Sequence, residues 1–300
     1  MKSIGIVGLG KMGGNIALNL LSKNYSVIAY NRSPEKTKQL AKQGAIPCYS
    51  LDELAEKTKS PRIILLMLTA GQPVDNTLKY LMPYLKKGDI IIDGGNSFYK
   101  DSIKHYNMLK NKGINFIDIG ISGGIEGARH GASLTIGGDK STFKKIEFLC
   151  KDIAIKKGYA YIGNSGAGHF AKMIHNGIEY SMLEAYAEGF ETLDKSPYKC
   201  NKKEIARVWN NGSIIHSHIL ELIEKVFKKN PSLKNIDGII GGGETGTWAY
   251  QTAKFQGSEF DTLKHSLEKR KSSEKKQTFS TKLVSALRNE FGGHEIEKNK

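Results

Sequence analysis

Between Gly168 and Tyr180 the chain reads GHFAKMIHNGIEY, and Lys172, His175, Asn176 and Glu179 stand at i, i+3, i+4 and i+7. On a helix that spacing puts all four on one face. Seven residues cover about 10.5 Å of helix axis, so Lys172 and Glu179 could bracket a small, extended polyol acid from either end. Gly177 in the same stretch costs about 0.5 to 1 kcal/mol relative to Ala in a helix, which a close approach by a ligand or neighbouring backbone would explain. A solvated charged face has the same spacing, and spacing by itself leaves both readings open.

A second group of residues suits phosphate. Gly8-Leu9-Gly10-Lys11-Met12-Gly13 is a GxGxxG motif that follows an apolar run and opens a helical pattern. In that context Gly8 allows the tight turn, Gly10 lets a pyrophosphate reach backbone N–H groups, and Gly13 lets the helix pack closely. Where an NAD-specific enzyme would place a carboxylate for the ribose 2′-hydroxyl, this chain has Asn31-Arg32-Ser33. A guanidinium and a hydroxyl there suit a 2′-phosphate and favour NADP, with NAD the alternative and a solvated loop cation the bland reading of Arg32. Two more loops, Asp93-Gly94-Gly95-Asn96-Ser97 and Gly120-Ile121-Ser122-Gly123-Gly124, combine paired glycines with small polar side chains at strand ends. Each could orient a hydroxyl or carboxylate, or be an ordinary turn.

These residues need a scaffold, and 300 residues with 39% apolar and 25% charged content suffice for two domains. The first half alternates short β-branched runs with helical periodicity: strands are expected at Ile4 to Val7, Ser26 to Tyr30, Arg62 to Met67, Ile90 to Asp93, Phe116 to Ile119, Ala132 to Ile136 and near Tyr159 to Ile162. That alternation predicts an open α/β domain with a parallel sheet and crossover helices. Beyond the junction at Asn164 to Gly168 no strand is expected, and helices are predicted over about His169 to Asp194, Lys203 to Lys228 and Lys282 to Asn289. No apolar run approaches a membrane span and the N-terminus does not fit a signal peptide, so the protein is expected to be soluble and cytoplasmic. Cys48, Cys150 and Cys200 lack metal or disulfide spacing, the eight histidines form no ligand-spaced cluster, and His216 and His218 read as a helix surface pair. The net charge of +15 comes from 39 Lys and only 6 Arg, spread along the chain, which argues for a solvated lysine surface rather than nucleic-acid binding.

Taken together, GLGKMGGN, NRS, DGGNS, GISGG, GHFAKMIHNGIEY and the tail ALRNEFGGH at Ala286 to His294 resemble the short members of the decarboxylating 6-phosphogluconate dehydrogenase family. The resemblance covers almost the whole chain, and its last two motifs are the specific ones. It implies a Rossmann-like NADP-binding domain over 1–166 and an all-helical substrate-binding and dimerisation domain over 167–300. It also implies oxidation and decarboxylation of 6-phosphogluconate to ribulose 5-phosphate in the pentose phosphate pathway, without a metal. Carried over to this chain, Lys172 is the base and Glu179 the acid. Gly8, Leu9, Gly10, Met12, Gly13, Asn31, Arg32, Ser33 and Asn96 bind cofactor. Asn96, Ser122, Gly123, Gly124, His175 and Asn176 position the sugar acid and nicotinamide, while Tyr180, Lys269, Arg288 and His294 contact the substrate phosphate. The family places this tail across a dimer interface, so a homodimer or homotetramer is implied. Two positions depart from the pattern: Thr247 precedes Trp248 where Lys or Arg is usual, and Lys269 stands for an arginine, keeping charge but losing bidentate geometry. The alternatives are a β-hydroxyacid dehydrogenase acting on an unphosphorylated acid such as 3-hydroxyisobutyrate, and a nucleotide-binding protein without turnover.

Overall fold

Runs of Ile, Val and Leu too short for helices become strands, because branched side chains pack well on a pleated surface. In the computed structural model, which describes residues 2–296, the first unit runs in the order β1 (Ser3–Val7), α1 (Lys11–Leu21), β2 (Ser26–Tyr30), α2 (Pro34–Ala41), β3 (Ile46–Cys48), α3 (Leu51–Lys57), β4 (Ile63–Leu66), α4 (Gln72–Leu81), β5 (Ile90–Asp93), α5 (Tyr99–Lys110), β6 (Asn115–Ser122), α6 (Gly124–His130), β7 (Ala132–Gly138), α7 (Lys140–Ile153) and β8 (Ala154–Gly163). The strands form one sheet ordered β3-β2-β1-β4-β5-β6-β7-β8. Successive side chains leave opposite faces of a strand, so Ile90 and Ile92 join one core with Ile117, Ile119 and Ile121, while Ile91 and Phe116 join the core on the other face. Six strands in the order 3-2-1-4-5-6 make a Rossmann-like fold, whose ligand crevice lies at the carboxyl ends of the strands where the order reverses, here β1 and β4.

The sheet differs from the sequence reading in two places. β7 runs antiparallel to β6, with Ser122 opposite Ser133. The segment joining them holds only the short α6, too little chain for a crossover to a parallel neighbour. β3 was not expected at all. It is a three-residue edge strand containing Pro47, a residue that argues against a strand except at an edge.

The second unit, from Ile174 onward, is helical, with no strand among its described residues. The long α8 (Ala167–Asp194) contains the division between the two units, and α9 (Lys202–Trp209), α10 (His218–Lys229), α11 (Glu244–Phe255), α12 (Asp261–Ser273) and α13 (Phe279–Gly292) follow. Leu183, Ala187 and Phe190 of α8 meet Leu220, Ile223 and Phe227 of α10 and Leu283 and Leu287 of α13 in its core. The single helix expected over Lys203 to Lys228 is two helices. Asn210 and Gly212 form a turn between them, and Ser217 caps α10 by accepting from the Leu220 N–H. His216 therefore lies in the loop and only His218 on the helix. Among the described residues no helix is long and apolar enough to cross a membrane.

Candidate active site

In the first unit the glycine motif forms the turn between β1 and α1. Gly8 has φ +96°, and a Cβ there would run into the Met67 carbonyl. A Cβ at Gly13 would strike the Gly8 carbonyl, so the loop and helix touch at backbone distance, whereas a Cβ at Gly10 would meet nothing within 4 Å. Gly10 is also the N-cap of α1 and brings no side chain to its first N–H groups. An open approach to the N–H groups at a helix start suits a pyrophosphate, so these residues fit a dinucleotide. Leu9 donates its N–H to Asn31 Oδ1 at 2.9 Å, and Asn31 Nδ2 donates to the Ser33 carbonyl at 3.1 Å, which fastens the loop after β2 to the glycine turn. Met12 packs against the core, and Arg32 and Ser33 are exposed.

The loop after β5 is organised by Asp93, a fully buried carboxylate that accepts from Gly95 N–H at 3.0 Å and Ser97 Oγ at 2.7 Å. Asn96 lies between these two anchors with its side chain exposed. At the end of β6, Ser122 accepts a hydrogen bond from Lys172 Nζ at 2.8 Å, and Gly123 (φ +122°) and Gly124 turn the chain into α6. Lys172 is 8% exposed, so its amine is held rather than waving in solvent. These contacts bring Lys172, Ser122 and the two glycines together within the first unit.

In the second unit the rest of the α8 stripe meets α11 and α12. Asn176 Nδ2 donates to Thr245 Oγ1 at 3.3 Å, and the Tyr180 hydroxyl lies 3.1 Å from the same oxygen. His175 Nδ1 is 3.3 Å from Asn176 Oδ1 and 3.8 Å from Glu179 Oε2. A Cβ at Gly246 would sit 2.6 Å from the Tyr180 ring, which explains that glycine, and the Arg270 guanidinium carbon stacks 3.8 Å from the ring centroid on its own account. Arg270 is 5% exposed, its Nη1 donates to the Gly241 carbonyl at 3.4 Å, and its Nε has no hydrogen-bond partner among the described residues. Arg288 Nη2 lies 3.2 Å from where a Gly242 Cβ would be. Burial pushes the Arg270 guanidinium down to about 10, with Tyr180 opposing and Arg288 adding to the shift, and burial likewise lowers Arg288. Both remain cations at neutral pH. Neither is in an ion pair among the described residues, although Glu179 acts on both through space.

The four residues assigned to the phosphate do not all share one place. Arg288 lies by Gly242 and Tyr180 by Thr245 and Gly246, whereas Lys269 points to Glu188 Oε1 at 3.4 Å. The residue beside Tyr180 is Arg270, one position on, and sequence reasoning missed it together with Thr245 and the glycine triplet. A run of three glycines opening a helix was the available signal. His294 folds its ring back on Gly292 just past the end of α13, and its carbonyl accepts from Asn289 Nδ2 at 2.6 Å. The helix expected to stop near Asn289 continues through Gly292 and ends where Gly293 takes up a left-handed φ of +60°. Gly177 allows a close approach by side chains of its own unit, Leu263, Phe260 and Ala249. Among the described residues no cluster of His, Cys, Asp or Glu is arranged to hold a metal ion.

Comparison with known proteins fits this geometry. Residues 3–163 match the model of the NAD binding domain of 6-phosphogluconate dehydrogenase, and residues 181–300 that of the 6-phosphogluconate dehydrogenase C-terminal domain. The Bacillus subtilis protein YqeC, named only provisionally as a 6-phosphogluconate dehydrogenase, is 44% identical over 98% of this chain and 99% of its own. The NAD(+)-dependent, decarboxylating 6-phosphogluconate dehydrogenase of Haloferax volcanii is 36% identical over 98% of each chain. The structure of Plasmodium falciparum 6-phosphogluconate dehydrogenase, solved in apo form and with NADP+ and with 6-phosphogluconate, superposes with a TM-score of 0.82 at 31% identity, over 90% of this chain and 62% of that one.

Proposed function

Since the chain belongs to the 6-phosphogluconate dehydrogenase family, we propose that it oxidises and decarboxylates 6-phosphogluconate to ribulose 5-phosphate with NADP, NAD being the second choice. The domains are 1–166 for cofactor and 167–300 for substrate and dimer formation. What supports a phosphorylated substrate is the pair of guanidiniums of Arg270 and Arg288 beside Tyr180, neither in an ion pair among the described residues. Two desolvated cations close together favour a dianion over a lone carboxylate.

The dinucleotide, when bound along Gly8 to Gly13, supplies the hydride acceptor. Lys172 takes the proton of the C3 hydroxyl, for which it must be neutral when substrate arrives. Ser122 orients the amine by accepting from Nζ. Once the 3-keto acid has formed, the protonated amine donates to its ketone oxygen, which draws the electron pair released as carbon dioxide departs. Glu179, on the same helix, then protonates C1 of the enediol while Lys172 takes the proton back from its hydroxyl, which gives the ketone.

Absorbance at 340 nm tests this, with 6-phosphogluconate set against gluconate and 3-hydroxyisobutyrate, each with NADP and NAD. Preference for the phosphorylated acid is expected. Faster turnover of an unphosphorylated acid would move the chain to the β-hydroxyacid dehydrogenase alternative.

A further inference from the structure

Asp118 lies in the middle of β6 in an apolar run from Phe116 to Ile121, and it is fully buried. A carboxyl group there is unfavourable unless its oxygens are satisfied. Oδ1 accepts from the Gly166 N–H at 2.7 Å and Oδ2 from the His169 N–H at 3.0 Å. Those are donors at the start of α8, where helical N–H groups lack partners of their own and an acidic group is favoured by the helix dipole.

Alternation along the strand puts Asp118, Gly120 and Ser122 on one face of β6. A Cβ on Gly120 would collide with the Cβ of Lys172, and Ser122 receives the Lys172 amine. On the neighbouring strand, Thr135 Oγ1 donates to the Gly168 carbonyl at 3.0 Å. The first two turns of α8 therefore lie directly on β6 and β7, fixed at the helix start by Asp118, along its length by Gly120, and at the Lys172 tip by Ser122. His169 extends the clamp. Its Nδ1 is 2.7 Å from Ser102 Oγ on α5, the helix that follows the Asn96 loop.

From this register we infer that Asp118 is a positioning residue for Lys172, setting the rotation and depth of α8 so that Nζ meets the substrate hydroxyl. The inference rests on the reading of Lys172 as the base. A small rotation of α8 would carry the amine off Ser122, and misplacing a reacting group by about 1 Å can slow a reaction about a hundredfold.

Asp118→Asn keeps the volume but turns an amide NH₂ toward one of the two backbone N–H donors. Expected are a fall in kcat of about tenfold to a hundredfold with KM for 6-phosphogluconate and the affinity for NADP within about twofold of wild type. With C3-deuterated substrate, the isotope effect on kcat should rise, since the misplaced base makes the oxidation step slower. Thr135→Val, a milder loosening of the same seat, should show the same direction with a loss of about two- to fivefold, and it decides the matter if Asp118→Asn does not fold. A normal kcat, or a loss that follows the folded fraction with no change in isotope effect, would overturn the inference.

If wild type does not oxidise 6-phosphogluconate, the reading of function fails, and the clamp is then judged without turnover. Faster hydrogen exchange at the Gly166 and His169 amides and loss of the Lys172–Ser122 contact in crystals of the variant would support it. A retained contact would refute it.

Discussion

Arg32 is exposed at the end of β2 and has no ion pair among the described residues, while its neighbour Asn31 is occupied in holding the glycine turn. The division of labour at that position predicts a selective effect: Arg32→Ala should weaken NADP by about tenfold or more and NAD by much less, because only NADP offers a ribose 2′-phosphate for a charge-assisted bond. Titration of both cofactors by fluorescence checks it, and equal losses would remove Arg32 from the selectivity. For the chemistry itself, Lys172→Met and Glu179→Gln should each lower kcat by about a hundredfold or more, measured at saturating substrate. That Lys172 and Glu179 share one helix was legible because helical spacing shows in the sequence. Asp93 and Asp118 were not. A buried carboxylate that satisfies backbone N–H groups looks, in one dimension, like any acid in an apolar strand, and its partners are 48 and 51 residues away for Asp118.

At the level of elements, α8 carries more than its functional stripe. Glu184 is 4% exposed with no hydrogen-bond partner for Oε1 among the described residues, and burial raises its carboxyl above the reference of 4.5. Glu188 pushes the same way, against Lys269, His265 and Arg270. A folded-state value above the unfolded one means that the folded chain binds this proton more tightly. Its contribution to stability is complete below the unfolded value and is lost as pH rises through the folded one. Glu184→Gln, which fixes the neutral form, should therefore raise the melting temperature at about pH 7 and change it little at about pH 4. Thermal denaturation across pH reads this directly, and a variant less stable at neutral pH would show that the nearby cations outweigh burial. Elements differ in how openly the sequence declares them. β2 and β5 matched the expected residues throughout, because apolar runs between turn residues have clear ends. The break between α9 and α10 was missed although Asn210-Asn211-Gly212 is a turn sequence, since amphipathic periodicity resumes beyond it in nearly the same phase. The end of α13 was misjudged because Phe291 and Gly292 still complete a helical turn, and only Gly293 adopts the conformation that stops it.

On the scale of the whole molecule, the proposed dimer poses a choice of which subunit would complete the proposed phosphate site. Family resemblance sends the tail to a neighbouring subunit, yet within this chain α13 is fastened to its own α10: Leu283, Val284 and Leu287 are buried in the shared core, and Lys229 Nζ reaches Glu290 at 2.7 Å. Arg288 thereby faces its own Gly242 and acts through space on its own Tyr180 and Glu179. Moving it to a partner would require unpacking two buried leucines, each worth about 2 to 5 kcal/mol when removed from a core. The cis arrangement predicts the behaviour of mixed dimers. When Lys172→Met and Arg288→Ala subunits are co-expressed with different tags and the hybrid is purified, each site of the hybrid keeps one lesion, so activity should equal the mean of the two parent variants. If Arg288 instead serves the partner, one site of each hybrid receives both lesions and the other none, and about half of wild-type activity per dimer should return. That recovery would place the end of α13 in the neighbouring subunit and make an isolated monomer incompetent for the phosphorylated acid.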